Sequence, residues 1–282
     1  METAKIISLY KGSVEIKFNP GNHSYYLTSE KPQKRLCGVT THIGVLDKPA
    51  LIPWAVGLTV DYIKDHIELI KSGDVDAYQI LRMAKEEANK QRDVAAEIGT
   101  AIHAWIEAHI KDESPDIPDD PRVLQGVNNF LEWVEKTTAT FLWSERVVYS
   151  KKYGYVGTAD FGVKINGKKY LADIKTGNGI YAEVKQQTAA YLEAVHEEDG
   201  KETYKGRWVL RISKETEEDY KIRMQKKVDA GRLTSIPPFK VFEAIFLDND
   251  PESMDRDFQA YLASKLEYEW KKIAEKELKE LR

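Results

Sequence analysis

The sequence predicts one α/β domain in which short strands and a helical stretch precede a strand-rich core. Three observations carry this. Apolar residues recur at helical spacing between about residues 47 and 138, and at strand spacing from Trp143 onward. Asn166-Gly167 sits between two alternating apolar runs, the signature of a two-residue type I′ hairpin. No internal repeat and no long linker divides the 282 residues, a length one large core can serve. The expected layout is N-terminal strands and helices over 1–140, a core over 141–250 and a C-terminal helix over 251–282.

The elements follow in order. Residues 13–18 and 23–27 read as strands around a Pro20-Gly21-Asn22 turn. Asp47-Lys48-Pro49 opens a helix that runs to about Lys71 and is disturbed at Pro53. Ser72-Gly73-Asp74 breaks it, and a second helical stretch covers 75–111. Residues 112–121, with three prolines and five acids, form a loop. Residues 123–138 are helical, with Val127, Phe130, Leu131 and Val134 on one face. Strand 143–150, turn 151–154 and hairpin 155–175 come next, then a helix from Ile180 to about His196. A strand at 207–212, a charged segment over 213–238, a strand at 239–247 and a long helix from Pro251 complete the chain.

Composition excludes several classes. Hydrophobic residues are 42% and charged residues 31%, a balance that supports a globular core. No apolar run approaches the length of a membrane-spanning helix. Met-Glu-Thr-Ala-Lys lacks the apolar core of a secretory leader. The single cysteine, Cys37, allows no internal disulfide and no iron–sulfur cluster, and fits a reducing compartment. A net charge of −4 means that any phosphate must be met by local basic patches or a bound cation. Lys151-Lys152, Lys164, Lys168-Lys169 and Lys185 are such patches, or else a solvated surface.

Counting the ladder outward from the Asn166-Gly167 turn faces Asp160 with Asp173. Like charges on directly opposed strand positions repel unless a cation or a shared proton lies between them, although two exposed carboxylates could also splay into water. Lys175 shares the face of Asp173, because strand side chains alternate with a period of two. Phe161, Val163, Ile165, Tyr170, Ala172 and Ile174 form the opposite, apolar face, which pins the register. The residue pattern points to a metal site with an ammonium beside it.

Other residues join by spacing. Gly99 and His103 stand one helical turn apart, leaving access beside the imidazole; a helical histidine is equally a surface or core residue. Gln187 and Tyr191 are also one turn apart, with Gln187 near the centre of the apolar stripe Ile180, Val184, Tyr191 and Val195. A buried amide there must bond a backbone group, Lys175, the metal ligands or substrate. Glu107 and Glu145 read as supporting acids or as exposed ion-pair partners. Trp143, Tyr149, Tyr153 and Tyr155 read as core or as a stacking surface, and segment 213–238 as a solvated insertion or a clamp.

The ordered set Gly99-x-x-x-His103, Gly157-x-Ala159-Asp160, Asp173-Ile174-Lys175 and Gln187-x-x-x-Tyr191 resembles the PD-(D/E)XK nuclease superfamily, in particular its RecB-type exonuclease branch. The likeness covers about residues 95–195. Phe18-Asn19-Pro20-Gly21-Asn22-His23-Ser24-Tyr25 and Val39-Thr40-Thr41 resemble a run that phage members carry earlier in the chain. Ala159 stands where the superfamily's name has proline, and the second acid is Asp173 rather than Glu; both variations occur in the branch.

The resemblance implies a restriction-endonuclease-like mixed sheet flanked by helices and a DNA exonuclease dependent on Mg²⁺ or Mn²⁺, with one or two ions and no iron–sulfur cluster. The cation would be held by Asp160 and Asp173 and, carried over from the family, by His103 and the backbone carbonyl of Ile174. Lys175 would orient or deprotonate the attacking water, Gln187 and Tyr191 would position Lys175 or the strand end, and the product would carry a 5′-phosphate. The expected substrate is single-stranded DNA or free DNA ends, in recombination, replication or repair. The expected setting is the cytoplasm of a bacterial or phage-infected cell, with any protein partner unknown. Rival readings are an endonuclease or resolvase of the same fold, and a catalytically silent DNA-binding protein. A carboxylate-pair glycosidase fits poorly, since it requires no lysine.

Overall fold

A computed structural model describes residues 3–200 and 203–281. The Met1-Glu2 start and the expected helix end at Arg282 lie outside them. Two compact units divide the chain, one comprising residues 1–46 and 103–282 and the other residues 47–102.

The first unit is built on a nine-stranded mixed sheet among the described residues. Strands β1 (Lys5–Leu9), β2 (Val14–Asn19), β3 (Ser24–Leu27) and β4 (Lys34–Gly38) form an antiparallel meander. β1 and β4 are additions to the expected strands; both are short and carry mixed polar and apolar residues, so alternation does not announce them. Helix α1 (Val39–Ile43) follows β4 directly.

Beyond the second unit, α5 (Pro121–Thr137) opens with Asp120 as N-cap, whose side chain accepts the Arg122 N–H, and Pro121 at the first helical position. Then come β5 (Thr140–Ser150), β6 (Tyr155–Ile165) and β7 (Lys168–Thr176). α6 (Glu183–Asp199), β8 (Tyr204–Ile212), α7 (Glu217–Asp229), β9 (Phe242–Phe246) and α8 (Ser253–Glu280) complete the unit. The charged segment over 213–238 therefore contains a helix, N-capped by Thr216 and anchored by buried Met224. The helix after the hairpin starts at Glu183, three residues later than expected.

One face of the sheet carries α1, α6 and α8, which bury Val39, Tyr155, Ala159, Leu171, Leu192, Val195, Phe258 and Tyr261 in one cluster. Tyr149 and Tyr155 are buried, and Trp143 and Tyr153 pack against this cluster. The four aromatics are core, and the stacking surface considered for them is not formed. A second cluster, around Ile16, Tyr25, Leu36, Val147 and Val156, fastens the meander to β5 and β6. Arg207 of β8 is fully buried and donates to Asp248 at 2.5 Å and to Asp257 at 2.8 Å, tying β8 to α8 and the loop before it.

The sheet positions the site through the pairing of β6. β5 runs antiparallel along one edge of β6, from Ser150/Tyr155 to Thr140/Lys164. The other edge is shared. β4 pairs in parallel with its first two residues, Cys37 with Tyr155 and Gly38 with Val156. β7 pairs with its last five, from Phe161/Ala172 to Ile165/Lys168. Gly157 to Asp160 therefore have no strand beside them on that edge. Such a divergence of neighbouring strands is where open α/β sheets form their crevices.

The second unit is helical. α2 (Leu51–Asp65) and α3 (Ile67–Ser72) replace the single helix expected over this stretch. Pro53 lies in the first turn of α2, where its missing N–H costs nothing, and the break falls instead at His66. Gly73, at φ 77°, ends α3 in the left-handed conformation. α4 (Ala77–Ile110) begins in this unit, and its last turns, from His103, belong to the first.

Candidate metal centre

The hairpin register is the one read from Asn166-Gly167, with Asn166 at φ 49° and Gly167 at φ 78° as a type I′ turn requires. The ladder stops one step short of the expected Asp160–Asp173 pair, a correction to the direct cross-strand partnership. The cause lies in the Asp160 side chain, whose Oδ2 accepts the Ile174 backbone N–H at 2.6 Å. A charge-assisted bond to a carboxylate is stronger than an amide–amide ladder bond. The strands part there and Asp160 is fixed at the edge of the crevice.

Three donors converge at this point. An imidazole nitrogen of His103 and one carboxylate oxygen each from Glu145 and Asp160 lie within 4.8 Å of one another. His103 Nδ1 is 3.9 Å from Asp160 Oδ2. Burial lowers the His103 pKa, and Lys175 and Lys214 lower it further against the opposing pull of Asp160, which favours the neutral, metal-binding form. Glu145 sits at the exposed rim, yet desolvation, followed by the charges of Asp160 and Glu107, pushes its acid up to about 8. Its backbone is in the left-handed region at φ 48°, inside a β-strand. A non-glycine residue held there costs about 1–3 kcal/mol and persists only where the surroundings enforce it. Glu145 stands opposite Asp160 in the β5–β6 register, between the pairs Ser144/Phe161 and Arg146/Ala159.

Asp173 lies outside this group of three. It is fully buried on β7, and its Oδ1 has no hydrogen-bond partner among the described residues. Its close neighbour is the Lys175 ammonium, 2.6 Å from Oδ2, an ion pair. Burial raises the Asp173 pKa, with Lys175 opposing and Asp160 adding to the rise. Burial would lower the Lys175 pKa, but the charges of Asp173 and Asp160 outweigh it and hold the group above its ordinary range. Lys175 is thus a fixed cation more than a ready base. Ile174 is buried, with its N–H committed to Asp160.

Gln187 is half-buried and its amide donates to the Tyr191 hydroxyl at 3.0 Å, which answers the question of its partner. Desolvation raises the Tyr191 pKa, so it remains a neutral phenol that faces the charges of Asp173 and Asp160. Glu107 is the ion-pair partner of Lys111. Lys164, Lys168 and Lys169 lie at the turn end of the hairpin, four or more residues from Asp160 and so roughly 13 Å or more along the strand. They do not flank the cluster. Lys151 stacks on the Tyr10 ring and Lys185 pairs with Asp257 at 3.6 Å.

A cavity of about 290 Å³ opens on the same bare edge of β6. Gly157, Thr158 and Tyr191 line it from the site, and Arg35, Thr40, Thr41, His23 and Lys272 from elsewhere, with no acidic residue in its wall. The Tyr25 hydroxyl bridges His23 Nε2 at 3.0 Å and Thr158 Oγ1 at 2.6 Å, joining the N-terminal run to the crevice.

Glu145 joins His103 and Asp160 only in the folded chain. Its sequence signal is an acid on the strand before the hairpin; its left-handed backbone and its position opposite Asp160 have no local sequence mark. No protein-family profile matches the chain, and no curated protein matches it in sequence. No described helix is long and apolar enough to cross a membrane.

Proposed function

We propose that the chain is a divalent-metal-dependent deoxyribonuclease of the PD-(D/E)XK type, acting as an exonuclease on single-stranded DNA or free DNA ends. The observation that carries this reading is the convergence of His103, Glu145 and Asp160 beside the Asp173–Lys175 ion pair, at the edge where β4 and β7 diverge. One imidazole and two carboxylates suit Mg²⁺ or Mn²⁺. Asp173 Oδ1, buried without a hydrogen bond, and the raised Glu145 acid are groups that a cation would stabilise.

His103, Glu145 and Asp160 would hold the ion, with Asp173 the next carboxylate inward. When bound, a divalent ion supplies charge neutralisation at a phosphate and makes water more acidic. The residues do the rest. Lys175, kept protonated by Asp173 and Asp160, stabilises negative charge that grows on the phosphorus oxygens. Tyr191, held by Gln187, borders both the carboxylates and the cavity. Asp160, locked by the Ile174 N–H, keeps its orientation as the strands part.

The cavity favours an exonuclease over an endonuclease. Arg35, Lys272 and His23, with the hydroxyls of Thr40, Thr41 and Thr158, form a basic, hydroxyl-rich recess suited to a terminal phosphate. An end seated there sets the distance from terminus to scissile bond. End-labelled linear single strands, with and without a terminal phosphate, and a closed single-stranded circle are incubated with Mn²⁺. Degradation of the linear strands with the circle left intact supports the reading; cutting of the circle makes the chain an endonuclease, and no Mn²⁺-dependent cleavage of either refutes nuclease activity.

A further inference from the structure

We propose that Lys214 is a substrate-positioning residue whose ammonium takes a non-bridging oxygen of a DNA backbone phosphodiester beside the His103–Glu145–Asp160 cluster. The inference rests on the nuclease reading above and adds a residue that neither the family resemblance nor the local sequence pattern marks.

The placement is set by the sheet. β7 and β8 are parallel, with Lys175 beside Arg211 and Thr176 beside Ile212. Lys214 follows two residues later and so emerges at the same end of the sheet as Lys175. Both of its neighbours are pinned. The Ser213 N–H donates to the Val241 carbonyl at 2.8 Å, and the Ser213 hydroxyl accepts the Glu215 N–H at 3.2 Å. The Glu215 carbonyl accepts from the Gln125 amide at 3.3 Å. Its carboxylate is held at both oxygens by Arg223, at 2.5 and 2.6 Å. The turn is rigid, and the nearest acid in the chain is already taken.

Lys214 itself makes no hydrogen bond or ion pair with any described residue, although it is half-buried. The other inner cations do not share this condition. Lys175 has Asp173, Arg207 has Asp248 and Asp257, and Arg211 has Glu243. Removing an ammonium from water without a counter-charge costs free energy, seen here as a pKa lowered by burial alone. Its charge nevertheless reaches the cluster, since it acts on His103. A desolvated cation braced from both sides, at the end of the sheet where Lys175 lies and near His103, lacks one component, an anion. A DNA phosphodiester led past His103 toward the cluster supplies it.

The test measures binding and turnover separately. A fluorescein-labelled single-stranded oligonucleotide is titrated with wild type, Lys214→Ala and Lys214→Arg in Ca²⁺ over a range of salt, and Mn²⁺-dependent cleavage gives kcat and KM. Lys214→Ala is expected to weaken binding about 10-fold, raise KM with kcat within twofold, and flatten the slope of log affinity against log salt by about 0.7, one single-strand phosphate contact. Lys214→Arg should retain most of the affinity. The Lys214→Ala melting temperature should be unchanged or higher. Unaltered affinity and salt slope, a loss confined to kcat, or a melting temperature several degrees lower would each overturn the assignment. Wild type that binds no DNA at all would instead remove the nuclease reading, so the two failures are distinguishable.

Discussion

The ring of Tyr191 occupies the space that any side chain at position 157 would need. A Cβ built on Gly157 would lie 2.4 Å from the tyrosine's Cε1, well inside contact distance. Gly157 and Tyr191 are thus one feature: the glycine on β6 admits the tyrosine of α6 to the bare edge, where Gln187 holds its hydroxyl.

Gly157→Ala should therefore displace Tyr191. Overpacking of this kind costs about 1–3 kcal/mol. The expected outcome is a lower denaturant midpoint and at least a tenfold fall in Mn²⁺-dependent cleavage, whereas Gly179→Ala, in open space, should change neither. Activity and stability in Gly157→Ala equal to wild type would show that the ring moves freely.

Glu145 should trade stability for function. Its strained backbone and its crowding by Asp160 and Glu107 both oppose folding in the absence of a cation. Its pKa is raised from 4.5 to about 8, so the folded state binds the proton more tightly and this group's contribution fades as pH rises through about 8. In EDTA at pH 8.5, Glu145→Gln should melt slightly higher than wild type, by a degree or two because the residue is exposed at the rim. With Mn²⁺ the order should reverse, and cleavage by the variant should fall at least tenfold. Differential scanning fluorimetry with and without Mn²⁺ makes the comparison.

His42 predicts an acid limit to stability. It is fully buried, its Nδ1 is 2.8 Å from the Tyr261 hydroxyl, and burial lowers its pKa to about 4, with Lys265 and Lys272 adding to the shift against Glu269. A depressed histidine pKa means that the unfolded chain takes the proton first. Its contribution is present above about pH 6.5 and is lost as pH falls toward 4, up to roughly 3 kcal/mol. Urea unfolding at pH 7 and pH 4.5, compared with His42→Gln, should show a smaller pH dependence in the variant.

Arg207 predicts a large loss without chemistry. Arg207→Met would leave Asp248 and Asp257 nearly buried and without their shared partner, a change worth about 3–5 kcal/mol. Urea unfolding measures it. A loss below about 1 kcal/mol would mean that water replaces the guanidinium.

Much of the fold near the site was legible because its determinants are local. Asn166-Gly167 sets a turn whose geometry propagates along the ladder, so pairs as far as Phe161/Ala172 follow from counting. The helix read from residue 123 is α5, although its Asp120-Pro121 cap starts it two residues earlier, inside the stretch read as a loop. The rest depends on distant residues. β4 reaches β6 in parallel from more than a hundred residues upstream, and no periodicity in either strand records that contact. The ladder's end before Asp160/Asp173 depends on one side chain outcompeting a backbone acceptor for the Ile174 N–H. Glu145 adopts a left-handed backbone that no residue preference would assign to a glutamate. Lys214 was one charge among many in a polar segment until the sheet brought it to the end where Lys175 lies.

On the proposed reading, His103, Glu145 and Asp160 jointly hold a divalent ion that DNA cleavage requires. The most direct measurement is a calorimetric Mn²⁺ titration of wild type and Asp160→Asn, paired with cleavage of a labelled single strand. Wild type should bind Mn²⁺ and cleave, while Asp160→Asn should remain folded, lose at least tenfold in Mn²⁺ affinity and fall to background cleavage. Undiminished Mn²⁺ binding and cleavage in Asp160→Asn, or no Mn²⁺ binding by wild type, would contradict it.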